Sequence, residues 1–385
     1  MLGELLAGVI LGPPILDIVG FSPSIDVIAE LGIFFVMFHT GMEMDPKELI
    51  EHIWPSLTVG LGGFFIPFIL GYVTTRIFGG TFFQSLFIAT AISVTALAVQ
   101  AIILQSMKIN RMELGHIIMG AAIVEEILAL IALSTLVGLA KTGSVQILEI
   151  STILLKVIAF FGLTILIGYF IMPRVTSRLT NRKEKTFMLA ITSALLMAYF
   201  AELAGLHLII GAFLAGQFVR KEIMDESIYE SINSQFFAIS YGFLVPIFFA
   251  SLSFHLYLYW DWSFIVFTLI LIFVAIVGKL IGCGLGAAVS RYNFWESTII
   301  GFGMNGRGAV ELVLATVVLE TSQQLMVSRH ISEPLLTQDQ FSALVLMAFF
   351  TTLIAPISLK WAVNRTCLPS EKADFCQLWD ARKIG

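Results

Sequence analysis

A chain of 385 residues with 58% hydrophobic and 13% charged side chains cannot cover a water-facing surface, since soluble chains carry about 25% charged residues; its mean hydropathy of +0.92 points to solvation by lipid. A formal net charge of −5 over this length leaves no basic face for nucleic acid. The three cysteines, Cys283, Cys367 and Cys376, are an odd number without metal-ligand spacing, and Cys283, in an apolar stretch, reads as a small packing residue.

A bilayer-crossing helix needs about 20 apolar residues. Runs of that order fall near 1–16, 25–42, 54–78, 83–107, 113–139, 150–172, 185–203, 205–221, 235–256, 263–289, 294–319 and 338–362. The expected fold is therefore an all-α, polytopic membrane protein of about twelve transmembrane helices. Met1 to Leu11 lacks a basic flank and a small-residue cleavage site, so it reads as part of a span rather than a signal peptide. In the fourth run, ATAISVTALAVQA (89–101), Ser93, Thr95 and Gln100 are polar mid-span groups that hint weakly at a break and at oxygen ligands. In the eleventh, GFGMNGRGAVELVLA (301–315), four glycines argue against a continuous helix. Broken helices at the midplane expose backbone groups that line ion sites in transporters. His39, His207 and His255 stand alone in apolar surroundings and read as packed or hydrogen-bonded residues ahead of pH sensors. Of the 22 Lys and Arg, Arg76, Lys141 and Arg329 fall on one side of the predicted membrane and Lys156, Lys279 and Arg307 inside spans. The rest lie with the C-terminus on the other side, which is predicted to be cytoplasmic. The chain reads as one transmembrane domain, 1–365, with a short cytoplasmic tail, 366–385, and no strand–glycine fingerprint–helix unit for a nucleotide.

Ionisable groups inside a bilayer are costly and mark function. Glu125 and Glu126 lie deep in the apolar segment GAAIVEEILAL (120–130). Adjacent helical positions project about 100° apart, so one carboxylate can face a fixed partner while the other faces an aqueous cavity. Two carboxylates this close cannot both ionise cheaply, and a cation bound there competes with a proton. Lys279, in AIVGKLIGCGLGA (275–287), needs a counter-charge unless it snorkels to an interface. Glu125, Glu126 and Glu311 are the mid-span carboxylates on offer. Arg307 and Glu311, four apart, form either a structural helical pair or an ion gate. No nucleophile–base set or metal-ligand cluster argues for an enzyme, and no cofactor is expected.

GELLAGVILGP (3–13), AELGIFFVMFHTGMEMD (29–45), GAAIVEEILAL (120–130), LIIGAFLAGQ (208–217), PIFFA (246–250), VGKLIGCGLGA (277–287), GMNGRGAVELV (303–313) and TTLIAPISLK (351–360) span nearly the whole chain. In these motifs, their order and their spacing, the chain resembles the monovalent cation:proton antiporter family of the NapA, GerN and Kef type. The resemblance implies a dimerisation part, about 1–24 and 185–256 here, beside a core formed mainly by about 54–139 and 263–362. The core would hold two inverted five-helix repeats, with crossed broken helices at the fourth span around Thr95 and the eleventh around Asn305. By the same match Glu126 is the carboxylate that binds the cation or protons, Glu125 is its neighbour and Lys279 pairs with Glu125. The family usually carries Asp-Asp where this chain carries Glu-Glu, and the extra methylene moves the oxygens by about 1.5 Å. It also has one more helix before GELLAG, so either this chain starts shorter or a thirteenth span precedes residue 1.

The expected function is secondary exchange of a monovalent cation (Na+, Li+ or K+) for protons. The expected mechanism is an electrogenic, elevator-like cycle of a homodimer in a bacterial cytoplasmic membrane. One alternative is a potassium-efflux or channel-like system, which would take its nucleotide-binding regulation from a separate subunit. Another is a non-transporting scaffold or sensor, for which the Glu-Glu departure argues.

Overall fold

The computed structural model describes residues 2–13, 15–20, 22–142, 147–171, 183–219, 226–252, 254, 261–308, 315, 318–319, 321–322, 325–327 and 333–367. Their helices are α1 (Leu2–Leu11), α2 (Pro23–Glu43), α3 (Pro46–Glu51), α4 (Ile53–Ile77), α5 (Phe82–Ser93), α6 (Leu97–Ser106), α7 (Glu113–Thr142), α8 (Ile147–Leu166), α9 (Lys183–Leu203), α10 (Leu208–Gly216), α11 (Glu226–Ile239), α12 (Val245–Leu252), α13 (Trp262–Val289), α14 (Phe294–Gly303) and α15 (Gln338–Cys367). A π turn, Ile167–Ile171, extends α8, and another, Ser240–Leu244, joins α11 to α12.

Among the described residues, nine helical stretches are long and apolar enough to cross a membrane. The runs near 1–16, 205–221 and 294–319 are not among them; the helices α1, α10 and α14 that lie in these runs are 10, 9 and 10 residues long. Each short helix has a local cause. The Gly-Pro sequence at 12–13 closes α1. Gly205, at φ +85, separates α9 from α10. Glycines gather at the end of α14.

The chain divides into two compact units, Met1–Leu49 with Ile147–Phe254 and Ile50–Gln146 with His255–Gly385. In the first, α2 and α10 touch backbone to backbone. A Cβ on Gly41 would strike the Phe213 carbonyl, and one on Gly216 would strike the Phe38 carbonyl. Phe38, Phe213 and Phe236 are fully buried around this contact. His39 is buried too, with its ring 5.7 Å from those of both Phe237 and Tyr241. His207 instead caps α10, its Nδ1 accepting from Ile209 N at 3.4 Å; His255 lies outside the described residues.

The second unit is organised by α4, α7 and α13. Gly278, Gly282 and Gly286 recur every fourth residue and so share one face of α13. That face presses on α4: Gly278 on Pro67, Gly282 on Gly62 and Gly286 on Thr58. Without hydrophobic drive between lipid-solvated helices, such close contact supplies the packing. On another face of α4, Gly60 meets Ala121 and Val124 of α7, and Ser56 meets Gly120. At one end of the unit Tyr292 donates to Glu113, whose carboxylate also meets His52 Nε2 at 3.3 Å. Burial and the Glu113 carboxylate push the Tyr292 phenol upward, so it remains a donor at neutral pH. These contacts fix the registers of α4, α7 and α13, and hence which side chains meet midway along them.

Candidate cation and proton site

Two interrupted stretches meet in the second unit. Helix α5 ends at Ser93, and Val94–Ala96 run extended before α6 begins. Helix α14 ends at Gly303, and residues 304–308 form a turn and irregular chain. Thr95 Oγ1 donates to the Met304 carbonyl at 2.9 Å and Ala96 N to the Gly306 carbonyl at 3.1 Å. Gln100 Nε2 reaches the same Gly306 carbonyl at 3.3 Å. Each break thus supplies partners for backbone groups that the other leaves open.

The last carbonyls of α5 receive two cations. Arg307 Nη1 donates to the Ile92 carbonyl at 2.6 Å and Lys279 Nζ to the Ser93 carbonyl at 2.5 Å. A helix C-terminus carries partial negative charge, which favours cations there. Lys279 Nζ also meets Glu125 Oε2 at 2.6 Å, and both side chains are fully buried. Lys279 therefore does not snorkel; its counter-charge is Glu125. Arg307 is fixed at its backbone by Thr352 of α15, whose Oγ1 accepts from Arg307 N at 3.1 Å and donates to the Arg307 carbonyl. Its Nη2 lies 3.4 Å from the Ala275 carbonyl.

Glu126, one residue beyond Glu125, is 5% exposed and projects from α7 about 100° away. Asn305 Nδ2 donates to the Gly301 carbonyl at 2.9 Å. Asn305 Oδ1 and Gln100 Oε1 are buried acceptors with no hydrogen-bond partner among the described residues, which is donor chemistry suited to a small hard cation. Among the described residues no cluster of His, Cys, Asp and Glu is arranged for a bound metal.

Of the residues singled out in the sequence, Glu125, Lys279, Thr95, Asn305 and Arg307 converge here, and Glu126 adjoins them. Glu311 lies outside the described residues. Arg307 stands in irregular chain, where its bonds among the described residues include those to the Ile92 and Ala275 carbonyls and to Thr352. Three participants escaped the sequence reading. Thr352 could have been found as a polar residue amid the apolar run 338–362. Gly63 of α4 faces both the Glu125 carboxylate and the buried Cys283 thiol. The carbonyls of Ile92, Ser93 and Ala275 carry no side-chain signal at all.

The family model described as sodium/hydrogen exchanger, transmembrane, matches residues 1–365. The Na(+)/H(+)-K(+) antiporter GerN of Bacillus cereus is 31% identical, over 94% of this chain and 89% of its own. The Na(+)/H(+) antiporter of Enterococcus hirae is 28% identical, over 95% and 92%. Among solved structures, the sodium proton antiporter MjNhaP1 from Methanocaldococcus jannaschii matches with a TM-score of 0.65 at 18% identity, covering 94% of this chain and 90% of that one, a likeness of fold. With the family model covering all eight motifs, the chain belongs to the transmembrane sodium/hydrogen exchanger family.

Proposed function

We propose that this protein exchanges a monovalent cation, Na+, Li+ or K+, for protons across a bacterial cytoplasmic membrane. The observation that carries the reading is the fully buried Lys279–Glu125 pair, with Glu126 one residue away, at the point where α5 is interrupted. Glu126 takes a cation or a proton in alternation, since one carboxylate cannot hold both. Glu125 and Lys279 hold opposite charges beside it, and Thr95 and Asn305 offer oxygens. Arg307 anchors the interrupted ends. Two protons against one monovalent cation, with Lys279 cycling the second proton, make the exchange electrogenic. The unit carrying these groups moves as a body in an elevator-like cycle, and the other supplies the homodimer contact. Relatives named as Na(+)/H(+) and Na(+)/H(+)-K(+) antiporters support exchange. The one-sided distribution of Lys and Arg supports a cytoplasmic C-terminus.

The test is reconstitution in liposomes loaded with a pH-sensitive dye. A proton gradient is imposed and Na+, Li+ and K+ are added in turn, to wild type and to Glu126→Gln, which keeps the side-chain shape and removes the charge. Dissipation by at least one cation, abolished in the variant, is the expected result. Cation flux without proton coupling would instead indicate a channel-like system, and silence towards every cation a non-transporting scaffold.

A further inference from the structure

The Glu125 carboxylate has two unlike ends. Oε2 is held by Lys279 at 2.6 Å. Oε1 is fully buried and has no hydrogen-bond partner among the described residues. It lies against α4 and α13: the nearest atoms to a Cβ built on Gly63 are Glu125 Oε1 and Cys283 Sγ, both closer than real Cβ contacts come. Any side chain at position 63 would claim the place of Oε1. Cys283 follows Lys279 by four residues, one turn along the same face of α13, so ammonium and thiol from one helix bracket the carboxylate. The backbones of α4 and α13 are in direct contact beside this recess. Gly62 and Gly282, the chain neighbours of Gly63 and Cys283, already meet backbone to backbone, and close-packed interiors transmit strain rather than absorb it.

We propose that Gly63 and Cys283 set the length of the carboxylate at position 125. Together they form a recess sized for a glutamate, and by receiving Oε1 they seat Oε2 on Lys279. They are positioning residues acting through Glu125, and the inference rests on the reading of the Glu125–Lys279 pair as part of the transport machinery. An aspartate at 125 stops short by about 1.5 Å and leaves the recess part-filled. An alanine at 63 fills the recess and drives the glutamate out of register.

The two errors should therefore cancel. The experiment compares Gly63→Ala, Glu125→Asp and their combination by cation–proton exchange in liposomes and by the thermal midpoint of the purified protein. Gly60→Ala, with and without Glu125→Asp, serves as the steric control, because a Cβ there meets Val124 and Ala121 rather than the carboxylate. Gly63→Ala is expected to slow exchange by about tenfold or more, the scale on which ångström misplacements act. Adding Glu125→Asp should restore about tenfold of that loss, as contacting residues couple, and should do nothing for Gly60→Ala. Cys283→Val, which adds bulk on the opposite wall, should follow the Gly63→Ala pattern. Additive losses in the Gly63→Ala/Glu125→Asp protein, or equal rescue of Gly60→Ala, would overturn the proposal. Should wild type exchange no cation, the transport reading fails on its own. The recess is then judged on thermal midpoints alone, where the same recovery is expected and additivity refutes it.

Discussion

The ends of α5 and α14 both give way to non-helical chain, yet they are closed by different chemistry. The α14 end and the turn beyond it are closed by neutral groups: Asn305 Nδ2 on Gly301, Thr95 Oγ1 on Met304, and Ala96 N with Gln100 Nε2 on Gly306. The α5 end is closed by two buried cations, Arg307 on Ile92 and Lys279 on Ser93. Positive charge is thus gathered at one of the two breaks, and that break is the one beside Glu125. Lys279 answers two acceptors at once, a helix carbonyl and a carboxylate, so its role cannot be reduced to the ion pair.

Breaking the cationic end should cost the most. Lys279→Met strands a buried carboxylate at 125 and uncaps Ser93, a loss of about 3–5 kcal/mol by analogy with other broken buried pairs. The thermal midpoint of the purified protein should fall accordingly. Adding Glu125→Gln should recover most of the loss if the stranded charge dominates; no recovery would mean that Lys279 matters chiefly as the cap on α5. Arg307→Gln comes next. It removes charge-assisted bonds to Ile92 and Ala275, each of a kind worth about 1.5–3 kcal/mol, while leaving the backbone clasp of Thr352 in place. Because Arg307 and Lys279 hold consecutive carbonyls of one helix end, the double variant should be less damaged than the sum of the singles. Strict additivity would show that the two cations act independently.

The two breaks were also unequally legible. The second announces itself in Gly301, Gly303, Gly306 and Gly308, which lower helix propensity wherever they fall. The first contains no glycine or proline between Ala89 and Ala101; its Ser93, Thr95 and Gln100 gave a weak hint that the family resemblance had to sharpen. The structure supplies the reason. The first break is held open by bonds that arrive from more than 200 residues away in the chain, at Met304 and Gly306, and no local pattern records them. Glu125, Glu126 and Lys279 were readable because charge in a membrane is conspicuous. The pairing of Lys279 with Glu125 was left open among three carboxylates by the residues alone, since it depends on the register of α7 and α13 across α4. Gly63 was unreadable among 31 glycines, because its importance lies in the atom it faces.

Thr95→Val probes the neutral end and should have the smallest effect on stability. Valine keeps the shape and the extended preference of the segment; the bond to the Met304 carbonyl is lost, about 1 kcal/mol for a neutral hydrogen bond, together with the hydroxyl's contact with the Glu125 carboxylate. Thr95→Ser, which keeps the hydroxyl, should be closer to wild type. If Thr95 serves only to close the α14 end, exchange activity should fall in step with the thermal midpoint in both variants. If its oxygen also contacts the cation, Thr95→Val should raise the half-saturating cation concentration well beyond what so small a loss of stability explains, and Thr95→Ser should restore it. That split would separate the two breaks by task as well as by charge, with the cationic end holding Glu125 and the neutral end contributing oxygen to the ion.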